Sequence, residues 1–249
     1  MKTRLFRQAP GREEERASIR LAKQCRNEDV WRLIVSAVDN SLKTGGERAK
    51  KLSEIAAFAK SIHHSGSKWS SRNSGRSCSD WYYFEVIALT GSVAELTDER
   101  VIKTSGFVES IDRYDRYASW RYFRAIGKTR AVVELTDEGV LVFAKSLGNI
   151  SASWYFKAIW ETLAVAQLTD ERVLKSVKFI KSIGSDVAKW YFQAIGRTKM
   201  VAELTDERVL KSAEYIKSLD KNALMAYLWR IVSLSEKKPL PQPNWLESG

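Results

Sequence analysis

Hydrophobic and polar residues recur along this chain in blocks, and the blocks return at intervals of about 36 residues. One block reads Phe58-Ala59-Lys60-Ser61-Ile62, Phe107-Val108-Glu109-Ser110-Ile111, Phe143-Ala144-Lys145-Ser146-Leu147, Phe179-Ile180-Lys181-Ser182-Ile183 and Tyr215-Ile216-Lys217-Ser218-Leu219, with first residues 49, 36, 36 and 36 apart. A second opens at Leu96-Thr97-Asp98-Glu99, Leu135-Thr136-Asp137-Glu138, Leu168-Thr169-Asp170-Glu171 and Leu204-Thr205-Asp206-Glu207. A third is aromatic: Trp81-Tyr82-Tyr83-Phe84, Trp120-Arg121-Tyr122-Phe123, Trp154-Tyr155-Phe156 and Trp190-Tyr191-Phe192, each Phe standing 12 residues before the Leu of the second block. A fixed self-similarity of this length is the mark of a repeat architecture.

Inside a unit the spacing is helical. Trp190, Phe192, Ala194 and Ile195 lie near one stripe and predict a helix A. Val209, Leu210, Ala213, Ile216 and Leu219 predict a helix B, which opens at Thr-Asp-Glu. There a Thr or Asp oxygen can cap free N–H groups, and the carboxylates face the positive end of the dipole. Gly148 and Gly184 follow two of the B helices as C-terminal stops. One such hairpin cannot bury its apolar face alone, whereas stacked hairpins can. The expected fold is therefore all-α: a right- or left-handed α-solenoid of about five helix-turn-helix repeats, roughly 28–64, 80–112, 117–148, 151–184 and 186–220. Residues 13–26 are expected as an N-terminal capping helix and 222–235 as a C-terminal capping helix. The implied organisation is a basic arm and capping helix over 1–27, a repeat domain over 28–235 and a Pro-rich tail over 236–249. The third unit carries three extra turn residues in 112–119 and a B helix three residues shorter, with Gly139 in the place of an arginine.

The unit resembles the helix-turn-helix repeats of the α-solenoid superclass, such as HEAT-like and tetratricopeptide-like arrays. The likeness is architectural. Tetratricopeptide units run to ~34 residues with a proline ending that this unit lacks, and HEAT units to ~40–47. The Leu-Thr-Asp-Glu block belongs to neither pattern. The resemblance implies an extended, preformed binding surface and no particular site residues.

Composition sharpens this picture at three points. All four prolines, Pro10, Pro239, Pro241 and Pro243, lie outside the repeats, as helices require. Cys25 and Cys78 make neither a disulfide framework nor a metal quartet. No stretch reaches the ~18–20 apolar residues of a bilayer span, and the first residues show no signal-type apolar run, so no membrane association and a cytoplasmic setting are expected. Charge is uneven: of the formal +11, residues 1–79 hold +9. Within 65–79, nine of 15 residues are Ser or Gly, with Lys68, Trp69, Arg72 and Arg76 among them, the composition of a basic surface loop.

Several apparent motifs dissolve into the repeat. Gly127-Lys128-Thr129 lacks the upstream glycine of a phosphate-binding loop and has a counterpart in Gly196-Arg197-Thr198. The recurring carboxylate pairs read as caps rather than acid–base machinery, forming an acidic row opposite Lys60, Lys145, Lys181 and Lys217. His63-His64 has no metal-ligand spacing around it. Neither cofactor nor metal is expected. The aromatic blocks read as inter-helix core. The variable positions are free to meet a partner: Arg124 and Lys157 after the helix A Phe, then Lys128, Arg130, Arg197 and Lys199, a moderately basic strip. The expectation is a non-enzymatic scaffold binding a protein partner along one face. The alternative is nucleic-acid binding, with Arg4, Arg7, Lys68, Trp69, Arg72 and Arg76 contacting phosphates or bases.

Overall fold

The structure, a computed structural model, describes residues 12–25, 27–62, 79–112 and 117–235. The expectations placed on Arg4, Arg7, His63-His64, residues 65–78 and the tail 236–249 lie outside them. Every regular element among the described residues is a helix. The chain divides into two compact units, Met1–Glu109 and Ser110–Gly249.

The first unit holds α1 (Arg12–Cys25), α2 (Glu28–Ser41), α3 (Gly45–Ser61), α4 (Ser79–Thr90), α5 (Val93–Leu96) and α6 (Glu99–Ile102), and α7 (Ser105–Asp112) runs across the division. Asn27 caps α2 by accepting from the N–H groups of Asp29 and Val30, and Thr44 and Glu47 form a reciprocal capping box on α3. Helix α1 lies against α2 and α3. It buries Leu21 and Cys25 there.

The second unit holds α8 (Ala118–Thr129), α9 (Val132–Leu135), α10 (Glu138–Leu147), α11 (Asn149–Thr162), α12 (Val165–Leu168), α13 (Glu171–Lys175), α14 (Val177–Ile183), α15 (Ser185–Thr198), α16 (Val201–Leu204), α17 (Glu207–Leu219) and α18 (Lys221–Ser235). Its A helices pack in chain order: α8 on α11, α11 on α15, α15 on α18. The B helices do the same, α10 on α14 and α14 on α17. The shortened B helix appears as α10, ten residues against thirteen in α17.

Whereas α2 passes directly to α3, the four repeats after the first are more than hairpins, because a one-turn helix (α5, α9, α12, α16) stands between A and B. Its cause is local. The last residue of each A helix is a threonine: Thr90, Thr129, Thr162 or Thr198. Its hydroxyl donates to the carbonyl four residues back, at 2.7 Å in all four, and accepts the N–H two residues on. The next residue is left-handed: Gly91, Arg130, Leu163 or Lys199. A turn with these bonds satisfied ends A, and the one-turn helix drops a buried leucine (Leu96, Leu135, Leu168, Leu204) into the core. The cap of helix B is then the aspartate: Asp98, Asp137, Asp170 and Asp206 each accept the N–H two residues on. The preceding threonine instead donates back to the one-turn helix, as Thr136 does to the Val132 carbonyl at 2.7 Å.

Between one B helix and the next A helix, Gly148 and Gly184 serve as C-cap and N-cap at once, with φ/ψ of 80°/160° and 83°/163°. Only glycine adopts that conformation cheaply, so these residues set the sharp reversal between units.

The core is a ladder of rings. Phe143 meets Tyr155 at 5.2 Å and Phe179 meets Tyr191 at 5.2 Å, linking each B helix to the next A helix. Tyr122 meets Phe156 at 5.0 Å and Tyr155 meets Phe192 at 5.3 Å, linking A to A. All are edge contacts, each adding ~0.5–1.5 kcal/mol beyond area burial. The Tyr83, Tyr155 and Tyr191 hydroxyls donate to the carbonyls of Leu96, Leu168 and Leu204 at 2.9, 3.1 and 3.3 Å. Burial pushes all three phenols up, Tyr191 to about 12.

Candidate functional site

Tryptophans separate from the other aromatics. Tyr122, Phe123, Tyr155, Phe156, Tyr191 and Phe192 are buried, whereas Trp120, Trp154, Trp160 and Trp190 remain partly exposed. The reason is angular. Trp154 sits about 100° from Tyr155 around the helix, and the neighbouring A helices cover the tyrosine arc only. The aromatic blocks are therefore not uniformly core: the Tyr and Phe positions are, and the Trp positions form a face of α8, α11 and α15.

That face is crowded with cations. Around Trp154 stand the Arg121 guanidinium from α8 at 4.3 Å from the ring centroid, Lys157 Nζ from α11 at 5.1 Å and Lys189 Nζ from α15 at 4.9 Å. Lys189 also lies 4.9 Å from the Trp190 centroid. Arg124 lies against both Trp120 and Trp160, which are themselves in edge contact at 6.3 Å, with its guanidinium carbon 4.6 and 4.3 Å from the two ring centroids. A register difference produces the interleaving. Counting from the helix A Tyr, Arg121 occupies the position of Trp154 and Trp190, and Trp120 that of Ser153 and Lys189. Rings and cations thus alternate between adjacent helices, an arrangement worth ~0.5–2 kcal/mol per stacked cation.

Polar bonds fix the long side chains. Arg121 Nη1 donates to Ser153 Oγ at 2.6 Å. Lys157 pairs with Glu161 at 3.4 Å, and Gln193 Nε2 donates to Glu161 Oε2 at 2.7 Å. Arg197 Nε donates to Gln193 Oε1 at 3.1 Å. Lys189 makes no ion pair among the described residues. Its ammonium is held below the ordinary lysine range, first by desolvation and then by Lys157, with Glu161 opposing and Arg121 adding. The Arg124 Nε and Trp160 Nε1 donors are buried with no acceptor among the described residues.

Of the residues singled out from sequence, Arg124 and Lys157 lie on this face. Arg197 extends it through Gln193. Lys128, Arg130 and Lys199 are exposed at the C-terminal ends of α8 and α15, where Arg130 and Lys199 also serve as left-handed caps. Sequence reasoning missed Arg121, Lys189 and the four tryptophans. The offset of Trp120 against Trp154 and Trp190 within the aromatic block was the signal that could have found them.

The other sequence features resolve locally. Glu171 pairs with Lys175 at 2.6 Å, Glu207 with Lys211 at 2.7 Å, and Asp170 with Arg172 at 2.9 Å, so these acidic positions are largely neutralised within their own helices. Gly196 lies against Thr162 of α11, which makes the glycine-basic-threonine triplet a helix-packing device. A shallow groove of about 370 Å³ in the first unit is lined by Leu33, Ser36, Ala37, Asn40, Ser41, Ala88 and Gly91, none of them titratable. Among the described residues no group of three His, Cys, Asp or Glu side chains is placed to hold a metal, and no helix is long and apolar enough to cross a membrane. No protein-family model matches this chain, and no curated protein and no solved structure matches it.

Proposed function

We propose that this chain is a non-enzymatic α-solenoid of about five 36-residue repeats, working in a reducing, cytoplasmic setting, that binds a protein partner along the tryptophan-bearing face of α8, α11 and α15. The observation that carries this reading is the set of four tryptophans and five cations, Arg121, Arg124, Lys157, Lys189 and Arg197, on that face. All four rings are partly exposed, and Trp and Arg are the residues that dominate binding energy at interfaces. Chain-order packing of A on A and B on B supports the solenoid. A rigid helical face also binds without the ordering penalty of a loop. The sequence-based alternative, nucleic acid, rests on the basic residues 1–79.

The test is co-purification from the native source, with and without nuclease, using the wild type and a triple variant Arg121→Glu/Lys157→Glu/Lys189→Glu. A protein partner retained after nuclease and lost with the variant is the expected result. Partners lost on nuclease treatment, or retained equally by the variant, would overturn it.

A further inference from the structure

The chemistry of that partner can be narrowed, in an inference that rests on the docking-face reading. We propose that Arg121, Lys157 and Lys189, gathered around Trp154, form a receptor for a phosphate monoester carried on a protein partner.

The geometry is that of a point-charge receptor. The three cationic groups lie 4.3, 5.1 and 4.9 Å from one ring centroid, so no two are more than about 10 Å apart. They come from three successive A helices, which fixes their spacing by helix packing rather than by side-chain choice. Held beside an indole and beside each other, they repel. A dianion placed among them relieves that repulsion; the Lys189 ammonium is held below the ordinary lysine range first by desolvation and then by Lys157, and a bound anion would offset both. Lys189 has no ion pair among the described residues, leaving its donors for a ligand.

A monoester fits better than a carboxylate or a nucleic-acid backbone. It brings a charge of about −1.5 to −2 and three strong acceptor oxygens, enough to answer cations supplied by three successive helices within about 10 Å of one another. A carboxylate brings a single charge. A phosphodiester strand brings one charge per phosphate and needs a track, and the track fails here: Glu161 follows Lys157 by one turn and is bridged to Gln193 of α15. Three cations already engage the Trp154 ring, so it offers a base little free surface for stacking.

The experiment titrates the full chain with N-acetyl-phosphoserine amide, its unphosphorylated parent and oligothymidylate, following the indole N–H signals by NMR. Trp154→Phe identifies the reporter, and circular dichroism confirms that each variant is folded. We expect one saturable indole shift with the phosphorylated compound and none with the parent. Lys189→Gln should weaken it about tenfold, the loss of one charge-assisted contact. Glu161→Gln should tighten it, because the carboxylate competes for Lys157. Lys175→Gln, on α13 and paired with Glu171, should change nothing. Absence of a saturable shift overturns the proposal, as does a shift equal in Lys189→Gln and wild type. Oligothymidylate binding that Lys189→Gln weakens more than phosphoserine binding assigns the face to nucleic acid instead. If the phosphate assay fails while a nuclease-resistant partner is still lost with the triple variant, the phosphate claim falls and the docking face stands. Phosphatase treatment of the native extract extends the test to the natural partner: its release is expected, and its retention overturns the proposal.

Discussion

Replacing Gly196 with alanine sets two energies of opposite sign against each other. Gly196 lies inside α15, where alanine is preferred to glycine by ~0.8–1.0 kcal/mol. Propensity alone therefore predicts a more stable protein. A Cβ at this position would stand 2.9 Å from Thr162 Cγ2 and 3.0 Å from Thr162 Cβ, and closer still to Thr162 Oγ1. Thr162 cannot swing aside without loss. It is β-branched, its hydroxyl donates to the Ala158 carbonyl at 2.7 Å, and it accepts the Ala164 N–H at 3.4 Å. The alternative is to part α11 from α15, the contact that carries the ring ladder. Overpacking costs ~1–3 kcal/mol, and three Thr162 atoms at or inside 3.0 Å place it at the upper end, ~2–3 kcal/mol, so the net expectation is destabilisation by about 1–2 kcal/mol. For a chain of this size that lowers Tm by roughly 2–8 °C. Thermal unfolding followed by circular dichroism measures it. Thr162→Ala in the same background should recover much of the loss, giving a coupling energy of about 1 kcal/mol or more in a double-mutant cycle. An alanine variant as stable as wild type, or a cycle without coupling, would show that the two helices do not approach as closely as described.

Three further outcomes are open to direct measurement. Tyr155→Phe removes the hydroxyl that donates to the buried Leu168 carbonyl and should cost about 1–2 kcal/mol in denaturant unfolding, whereas no loss would mean that carbonyl finds another donor. Asp170→Ala should lose about 1 kcal/mol of capping at neutral pH. The Arg172 side chain, hydrogen-bonded to Asp170, holds that carboxyl below its ordinary range. A depressed folded pKa contributes stability above the unfolded value and loses it as pH falls through the folded one. The gap in Tm between wild type and Asp170→Ala should therefore narrow at pH below about 4, and a constant gap would refute the assignment. Burial pushes the Cys25 thiol up to about 11, so it should resist alkylation by iodoacetamide in the folded protein and react on unfolding, as mass spectrometry would record; rapid labelling of the native chain would place it outside the core.

The repeat period, the all-helical class, the opening of four B helices within Thr-Asp-Glu and the shortened α10 are all legible in the residue order, although the spacing leaves open whether Thr or Asp makes the cap. These are local or periodic properties. A capping oxygen and its N–H lie two or three residues apart, and a deletion of three residues shows as a shift in spacing. Sequence spacing does not reveal which arc of each A helix its neighbours cover. Adjacent Trp154 and Tyr155 are both large and apolar, and only the packing of α8 and α15 against α11 buries one and leaves the other partly exposed. The same packing turned Gly196 into a close contact with Thr162, and brought Arg121, Lys157 and Lys189, residues 32–68 apart in sequence, around a single indole ring. The physical reason is that hydrogen bonding along the backbone fixes a helix from within, whereas the surroundings of its side chains are set by other helices.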